Sequence, residues 1–311
     1  MGKHSTSSLR LFFPCLVCTF LWGLGYPILK IACTSWNIAQ DDIIGKLMFA
    51  GWRFSLSGIV LLAVSWKKHG MLPVISKKML PRIGALGLCQ TTLQYALLYI
   101  GMANTSGTKG SVINQFCVFL TVLLSPVFFR NEKFSFSKTI GCIVGFAGII
   151  VMNLDGASLS FEYGDVIVLL ASCATTAGYL LSKAIPTEYD AMTSTGYQQL
   201  FGGAILIVIG VLFGGKIRCD SIIGLVSFAY MVIECAVAFS IWLNLLQHND
   251  ASSVIIYKFL TPVFGVLFSA LLLDERILTF SNFVSLVLVC TGILIVNGFN
   301  FDRRKIRCGN I

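Results

Sequence analysis

The stretch that decides the fold class is residues 222–246, IIGLVSFAYMVIECAVAFSIWLNLL. It holds one charged residue, Glu234, and is longer than the about 20 apolar residues that cross the hydrocarbon core of a bilayer as a helix. Working outward from it, similar apolar runs separated by short polar breaks fill the chain. The sequence predicts ten membrane-spanning helices, at residues 9–31, 46–66, 82–102, 108–129, 136–154, 163–184, 194–214, 222–246, 252–273 and 280–299.

Composition agrees with a membrane protein. Of 311 residues, 56% are hydrophobic and 12% are charged, against about 25% charged in a soluble domain. Mean hydropathy is +0.83. These values exclude a soluble globular domain, a disordered chain and a nucleic-acid binder, and predict an all-α integral membrane protein whose partner is the lipid bilayer. The 11 cysteines and three histidines show no zinc-ligand spacing, so we expect neither a metal nor a cofactor.

The positive charges predict the orientation. The chain has a net charge of +9, and excess Lys and Arg in short loops marks the cytoplasmic side. With ten spans, the side that carries both termini and every second loop collects fifteen Lys and Arg residues against six on the other side. We therefore expect a multi-pass protein of the cytoplasmic membrane with both termini in the cytoplasm. The N-terminal apolar run is interpreted as a first span rather than a cleaved signal peptide.

The two halves of the chain resemble each other. Each half carries the same features in the same order: Ser-Val-Ile at 111–113 and 253–255, an acidic-basic pair at Glu132-Lys133 and Glu275-Arg276, and a Gly-x4-Asn pattern at Gly148/Asn153 and Gly292/Asn297. This predicts two five-helix units, residues 1–158 and residues 159–311, the second with a basic cytoplasmic tail. Because five is odd, the second unit must enter the membrane from the opposite side, which gives the inverted repeat typical of secondary transporters.

Several short motifs carry a family resemblance. They are Trp22-Gly23 with Lys30 at the end of span 1, Arg53-Phe54 in span 2, Gly164-Asp165 opening span 6, Thr261-Pro262 in span 9, and the acidic residues Glu132 and Glu275. In this order, over about residues 9–299, they resemble the EamA-type family of the drug/metabolite transporter superfamily. The resemblance implies ten helices as two inverted five-helix repeats, a central cavity and alternating access, and many members export amino acids and other small metabolites. The repeats are not identical, since Phe119 stands where the second unit has Pro262.

Three charged residues lie well inside predicted spans, away from the span ends: Arg53, Glu234 and Lys258. Intramembrane charges are costly and mark candidate functional sites. Glu234 is a candidate carrier of a coupling proton, and the alternative is an ion pair with Lys258 or Arg53 that holds helices together. Lys258 is the favoured contact for an anionic group, whereas Arg53 is interpreted first as a structural or snorkelling residue.

Polar and aromatic side chains recur at helical spacing and predict a polar cavity lined with aromatic residues. The candidate cavity residues are Trp22 and Tyr26 in span 1, Gln90, Gln94 and Tyr95 in span 3, Asn114 and Gln115 in span 4, Tyr179 in span 6, and Lys258 in span 9. Span 3 continues this face with Tyr99, and span 6 with Ser172, Thr175 and Thr176. The alternative for each is interhelical hydrogen bonding. The pairs Gly141/Gly145 and Gly210/Gly214 predict close helix packing.

The sequence favours a secondary transporter, an exporter of small metabolites such as amino acids or related compounds, that works by alternating access on a small-molecule substrate. No phosphate-binding loop is present, so ATP bound to this chain does not drive it. The alternatives are an intramembrane lipid-modifying enzyme and a channel. The enzyme is disfavoured because no span carries a histidine and Asp41-Asp42 is an isolated acidic pair outside the spans. A homodimer stays an open alternative.

Overall fold

The computed structural model describes residues 8–71, 74–105, 107–152, 162–273 and 280–297. Its ten helices are α1 (Ser8–Ser35), α2 (Ile43–His69), α3 (Leu80–Ala103), α4 (in two pieces, Gly107–Asn114 and Phe116–Phe128), α5 (Phe136–Met152), α6 (Tyr163–Lys183), α7 (Ala191–Leu212), α8 (Ile222–His248), α9 (Ala251–Leu273) and α10 (Phe280–Asn297). Nine of them are long and apolar enough to cross a membrane, and the described part of α5 is shorter. The predicted all-α architecture with ten spans is confirmed.

Short polar residues set the ends of the helices. Asp42 precedes α2, and its side chain accepts a hydrogen bond of 2.7 Å from the backbone N–H of Gly45. Asp190 precedes α7 and accepts one of 2.9 Å from Thr193. Such caps satisfy backbone donors that the first turn of a helix leaves free. At the other end of α2, Gly70 takes the left-handed conformation (φ 69°) that commonly ends a helix.

The helices pack in a pattern that repeats between the two halves. The helix pairs α2/α7 and α5/α10 are among the most extensive contacts. Helix α1 packs on α8 and α9, and its counterpart α6 packs on α3 and α4. Exchange of two five-helix units about a two-fold axis produces this pattern. The predicted division at 158/159, the residues Asn153 and Glu275, and the basic tail lie outside the described residues, so the division stays a prediction.

Helices α5 and α10 meet backbone to backbone. A Cβ atom added to Gly292 would lie 2.5 Å from the carbonyl oxygen of Gly141 and 2.7 Å from the backbone nitrogen of Gly145. Only hydrogen fits at these distances. The Gly141/Gly145 pair therefore supports close helix packing, as predicted, and its partner is the glycine of the second repeat.

The prediction for the other glycine pair is half wrong. A Cβ on Gly210 would lie 2.3 Å from the side chain of Met48, so α7 does approach α2 closely there. Gly214, however, follows the end of α7 with φ 73° and has nothing within 4 Å of its Cβ position. It supplies the left-handed turn that ends the helix and makes no packing contact.

Ionic contacts tie the helices together at one end of the bundle, which we call the Glu132 end. The carboxylate of Glu132, in the α4–α5 connection, accepts a hydrogen bond of 2.7 Å from the Ala251 N–H at the start of α9. The same oxygen lies 3.6 Å from Lys183 Nζ at the end of α6. Lys138 on α5 forms a further ion pair of 3.4 Å with Asp250. One buried carboxylate thus joins elements of both halves.

The opposite end, which we call the Asp165 end, has its own ionic cluster. Lys109 Nζ on α4 lies 3.1 Å from Asp165 and 3.2 Å from Glu162, both at the start of α6. The Thr105 hydroxyl also donates to Asp165. Helices α4 and α6 are therefore held together at both ends of the bundle.

Glu132→Ala is expected to lower the free energy of unfolding by about 1–3 kcal/mol, the cost of leaving a buried donor without its acceptor. Glu132→Gln removes the ion pair with Lys183 but keeps an oxygen for the Ala251 N–H, so a smaller loss is expected. Thermal unfolding of both variants in detergent measures this order. Equal losses would contradict the role assigned to the Ala251 contact.

Candidate functional site

A cavity of about 120 Å³ lies between helices α1, α2, α3, α4, α6, α8 and α9. Nine of the eleven predicted site residues line it: Trp22, Tyr26, Arg53, Gln94, Tyr95, Asn114, Tyr179, Glu234 and Lys258. The other lining residues are Gly25, Leu29, Leu98, Tyr99, Met231, Phe239 and Thr261. The cavity is well below the about 300–1,000 Å³ of typical pockets for drug-sized ligands. In this conformation it accommodates a small solute.

Two broken helices border the cavity at equivalent places in the two halves. In α4 the helix is interrupted at Gln115, where the Gln115 N–H donates to the Val112 carbonyl and the Val118 N–H donates to the Gln115 carbonyl. In α9 a 3₁₀ turn occupies Ile256–Phe259. Each break begins within two residues of the end of one copy of the Ser-Val-Ile motif (111–113 and 253–255). Broken helices at membrane depth are tolerated where they line a cavity, and in secondary transporters they form substrate sites.

Hydroxyl groups of α6 satisfy the backbone of the α4 break. Ser172 Oγ lies 2.9 Å from the Ile113 carbonyl oxygen and 3.3 Å from that of Asn114. Thr176 Oγ1 lies 3.3 Å from the Cys117 carbonyl oxygen. For these α6 residues the alternative of interhelical hydrogen bonding is correct, and none of them lines the cavity.

Gln90 does not reach the cavity, and the reason is a π-helical turn at Leu88–Leu93. The wider turn changes which residues share a face, so Gln90 and Gln94 point to different neighbours despite their four-residue spacing. Gln90 packs against Gly178 of α6 and accepts a hydrogen bond of 3.4 Å from Ser182. The prediction of Gln90 as a cavity residue is therefore wrong. Gln94, beyond the π turn, lines the cavity.

Gln115 is also outside the cavity lining. Its side chain is buried at the α4 break, and its Oε1 has no hydrogen-bond partner among the described residues. The sequence prediction placed Gln115 beside Asn114 on one polar face. Adjacent residues of a helix do not share a face, and of the two only Asn114 lines the cavity.

Lys258 on the 3₁₀ turn of α9 is held by α6. Its Nζ donates a hydrogen bond of 2.7 Å to the Tyr179 hydroxyl and lies 3.7 Å from Cys117 Sγ. Only 8% of its surface is exposed. This cation already has an oxygen acceptor from the protein.

Arg53 on α2 is 3% exposed, and among the described residues it has no oxygen acceptor. Its Nη1 lies 3.8 Å from the sulfur of Met231, and its Nε has no hydrogen-bond partner in the described part of the chain. Its guanidinium carbon lies 4.7 Å from the ring centre of Phe54 and 5.3 Å from that of Tyr95. Cation–π contacts of this kind orient the group and leave its hydrogen-bond donors available.

Glu234 lies near the middle of α8 and is 5% exposed. Its carboxylate accepts a weak hydrogen bond of 3.5 Å from the Cys235 thiol. Among the described residues it forms no ion pair with Arg53 or Lys258. A Cβ on Gly25 would lie 3.8 Å from this carboxyl group, so the glycine leaves space beside it. The alternative of a structural ion pair is absent from this conformation.

Aromatic rings form the apolar part of the cavity wall. The ring of Trp22 lies 4.9 Å from Trp242 and 5.5 Å from Phe239, centre to centre. Tyr95 and Tyr99 are 5.9 Å apart on α3. Tyr26 is the most exposed of the predicted residues, at 49%. Apolar lining residues such as Phe239 escape sequence reasoning because nothing separates them from the lipid-facing residues of an apolar helix.

The cavity contains unsatisfied polar atoms. In the described ranges, the following lining atoms are buried without a hydrogen-bond partner: Trp22 Nε1, Arg53 Nε, Gln94 Oε1, Asn114 Oδ1 and Thr261 Oγ1. Buried polar atoms are nearly always satisfied in native proteins by protein or water. Their concentration around one cavity marks it as a site for water or a polar ligand. No group of three metal-ligating side chains occurs in the same ranges.

A bundle of ten apolar helices, with two broken helices bordering a buried polar cavity, defines a membrane transporter of the inverted-repeat class. The comparison with known families places the chain within that class. The sequence model of the EamA-like transporter family matches residues 11–154 and again residues 162–298. The chain belongs to the EamA-like transporter family, which confirms the resemblance and identifies a transporter rather than an enzyme.

Several proteins are similar in sequence to this chain over most of its length. The chain is 27% identical to the uncharacterized transporter YvbV of Bacillus subtilis (strain 168), over 89% of this chain and 88% of that one. It is 24% identical to the uncharacterized inner membrane transporter YedA of Escherichia coli (strain K12), over 83% and 81%. It is 25% identical to the WAT1-related protein At3g02690, chloroplastic, of Arabidopsis thaliana, over 89% and 66%.

A solved crystal structure shares the fold. It superposes with a TM-score of 0.76 over 92% of this chain and 97% of the other, at 14% sequence identity. At this identity the likeness concerns the helix arrangement alone.

Proposed function

We propose that this protein is a secondary transporter that exports small amphipathic metabolites, such as amino acids or related compounds, across the cytoplasmic membrane by alternating access. The observation that carries the proposal is the cavity with its unsatisfied polar atoms, placed between the broken helices α4 and α9. Polar groups there bind the head of a substrate, and the aromatic wall contacts its apolar part. Such mixed linings are typical of small-molecule sites.

The orientation follows from charge. The Glu132 end carries the connections that are rich in Lys and Arg, and we place it in the cytoplasm, with both termini on the same side. The name of YedA as an inner membrane transporter supports a location in the cytoplasmic membrane, and the orientation rests on the charges alone. In the proposed cycle the ionic contacts at the Glu132 end separate when the cavity opens to the cytoplasm, and those at the Asp165 end separate when it opens outward.

Metabolite profiling of the medium and cytoplasm of cells with and without the gene tests export. Compounds that change are then tested in counterflow, with the full chain in proteoliposomes. Saturable exchange of at least one such compound is expected. Flux that does not saturate would indicate a channel, and no exchange of any of these compounds would overturn the proposal.

Gly25→Val is expected to reduce the rate of this exchange, because its side chain would fill the space beside Glu234. Gly84→Val on α3 is the matched control, since its Cβ would lie 3.8 Å from the ring of Phe201 and away from the cavity. Initial rates at equal protein amounts measure the effect. Equal rates for the two variants would show that the cavity is not on the transport path.

A further inference from the structure

We propose that Arg53 is the anion subsite of the transporter and that the substrate carries a carboxylate, which the guanidinium binds through its unused N–H groups. The inference rests on the proposed function, since it assigns a substrate class to the same cavity. It reverses the order that the sequence favours, in which Lys258 binds the anion and Arg53 is structural.

Arg53 has more hydrogen-bond donors than the described residues around it have acceptors. A guanidinium has five N–H donors, yet its described protein contacts are two aromatic rings and one thioether sulfur, a weak acceptor. The group is nine-tenths buried and faces the cavity. A buried charge that forms no ion pair among the described residues is expensive, and such charges in membrane proteins mark functional sites.

Lys258, unlike Arg53, has a hydrogen-bond acceptor on a neighbouring helix. Its ammonium donates to the Tyr179 hydroxyl at 2.7 Å, so part of its hydrogen-bonding capacity is already used. The two cations and the carboxylate of Glu234 also leave the cavity lining with one more positive than negative charge when all three are ionised. A monoanionic group at Arg53 balances that excess.

The shape of the Arg53 guanidinium also favours a carboxylate. The planar guanidinium matches the two oxygens of a carboxylate in a bidentate pair, which a lysine cannot reproduce. The rings of Phe54 and Tyr95 fix the guanidinium without accepting its hydrogen bonds. The small volume of the cavity and its aromatic lining favour a short apolar carboxylate over a large polyanion.

Ligand-dependent thermal unfolding of the purified full-length protein tests this without requiring transport. The probes share one branched apolar body: 3-methylbutanoate (anion), L-leucine (zwitterion), 3-methylbutan-1-ol (neutral) and 3-methylbutan-1-amine (cation). Inorganic phosphate is the fifth probe. We expect the two carboxylates at saturating concentration to raise the unfolding midpoint by about 2–4 °C, and the alcohol, the amine and phosphate to leave it unchanged.

Arg53→Met and Arg53→Lys are the test variants. Arg53→Met should abolish the carboxylate-dependent shift, and Arg53→Lys should reduce it because the bidentate geometry is lost. Arg218→Gln is the matched control, since Arg218 lies outside the cavity with its side chain 84% exposed, and it should keep the full shift. Without ligand, Arg53→Met should unfold at the same or a higher temperature than the wild type, because it removes a buried charge that forms no ion pair among the described residues.

The possible results distinguish a failure of the Arg53 proposal from a failure of the transport proposal. A lower midpoint for ligand-free Arg53→Met would make Arg53 structural and overturn the proposal, as would a carboxylate shift that survives in that variant. A shift with phosphate alone, or with none of the probes, would overturn the carboxylate assignment. Failure of counterflow alongside an Arg53-dependent carboxylate shift would overturn the transport proposal instead and leave the subsite in place.

Discussion

Glu234→Gln is expected to abolish substrate flux driven by a proton gradient and to leave counterflow intact. Glutamine keeps the size and the hydrogen-bonding oxygen of the side chain, but its amide does not take up or release a proton at physiological pH. Counterflow exchanges substrate for substrate and needs no net proton movement. A variant that exchanges substrate but ignores the proton gradient is therefore the expected phenotype of a lost coupling site.

The surroundings of Glu234 distinguish it from the other buried acids. In the described part of the chain, Glu132 and Asp165 are also almost fully buried. Glu132 bonds the start of α9 and Lys183, and Asp165 bonds Lys109 and Thr105, so each has a structural partner at one end of the bundle. Glu234 alone of these acids lines the cavity.

The measurement uses proteoliposomes that contain the full chain, an imposed pH gradient and a compound identified by metabolite profiling. Glu188→Gln is the matched control, because Glu188 lies exposed in the connection between α6 and α7. It should show wild-type coupling. Coupled flux that is unchanged in Glu234→Gln would contradict the assignment of the proton to Glu234.

Sequence reasoning succeeded where a physical constraint acts locally. A bilayer requires a run of about 20 apolar residues for each crossing, so the spans could be predicted, and the largest disagreement is at α1, which continues to Ser35. Intramembrane charges are few because they are costly. Arg53, Glu234 and Lys258 therefore stood out, and all three line the cavity.

Sequence reasoning failed where the backbone departs from the regular α-helix. The i, i+4 rule places Gln90 and Gln94 on one face, but the π turn between them breaks that rule. The partners of side chains are likewise set by tertiary packing. The sequence therefore left open whether the hydroxyls of Ser172 and Thr176 face a cavity or bond a neighbouring helix, and they bond the α4 backbone.

Gly292→Leu is expected to keep most of the protein molecules from folding. Gly292→Ala is expected to lower the free energy of unfolding by about 1–3 kcal/mol, as overpacking does. The reason is that a Cβ at this position would meet backbone atoms of α5 at 2.5 and 2.7 Å, and the backbone cannot rotate away as a side chain can. The yield of monodisperse protein on size exclusion and the unfolding midpoint in detergent measure both effects.

Gly84→Ala is the matched control for the glycine series. Gly84 is also helical, but its Cβ would lie 3.8 Å from the ring of Phe201, an ordinary van der Waals distance. Because alanine favours the helix over glycine by about 1 kcal/mol, this variant should be as stable as the wild type or more stable. If Gly292→Ala behaved like Gly84→Ala, α5 and α10 would have to separate without cost, and their contact would not be a fixed part of the fold. A large loss in Gly292→Ala alone means instead that the close contact between α5 and α10 is a fixed part of the fold.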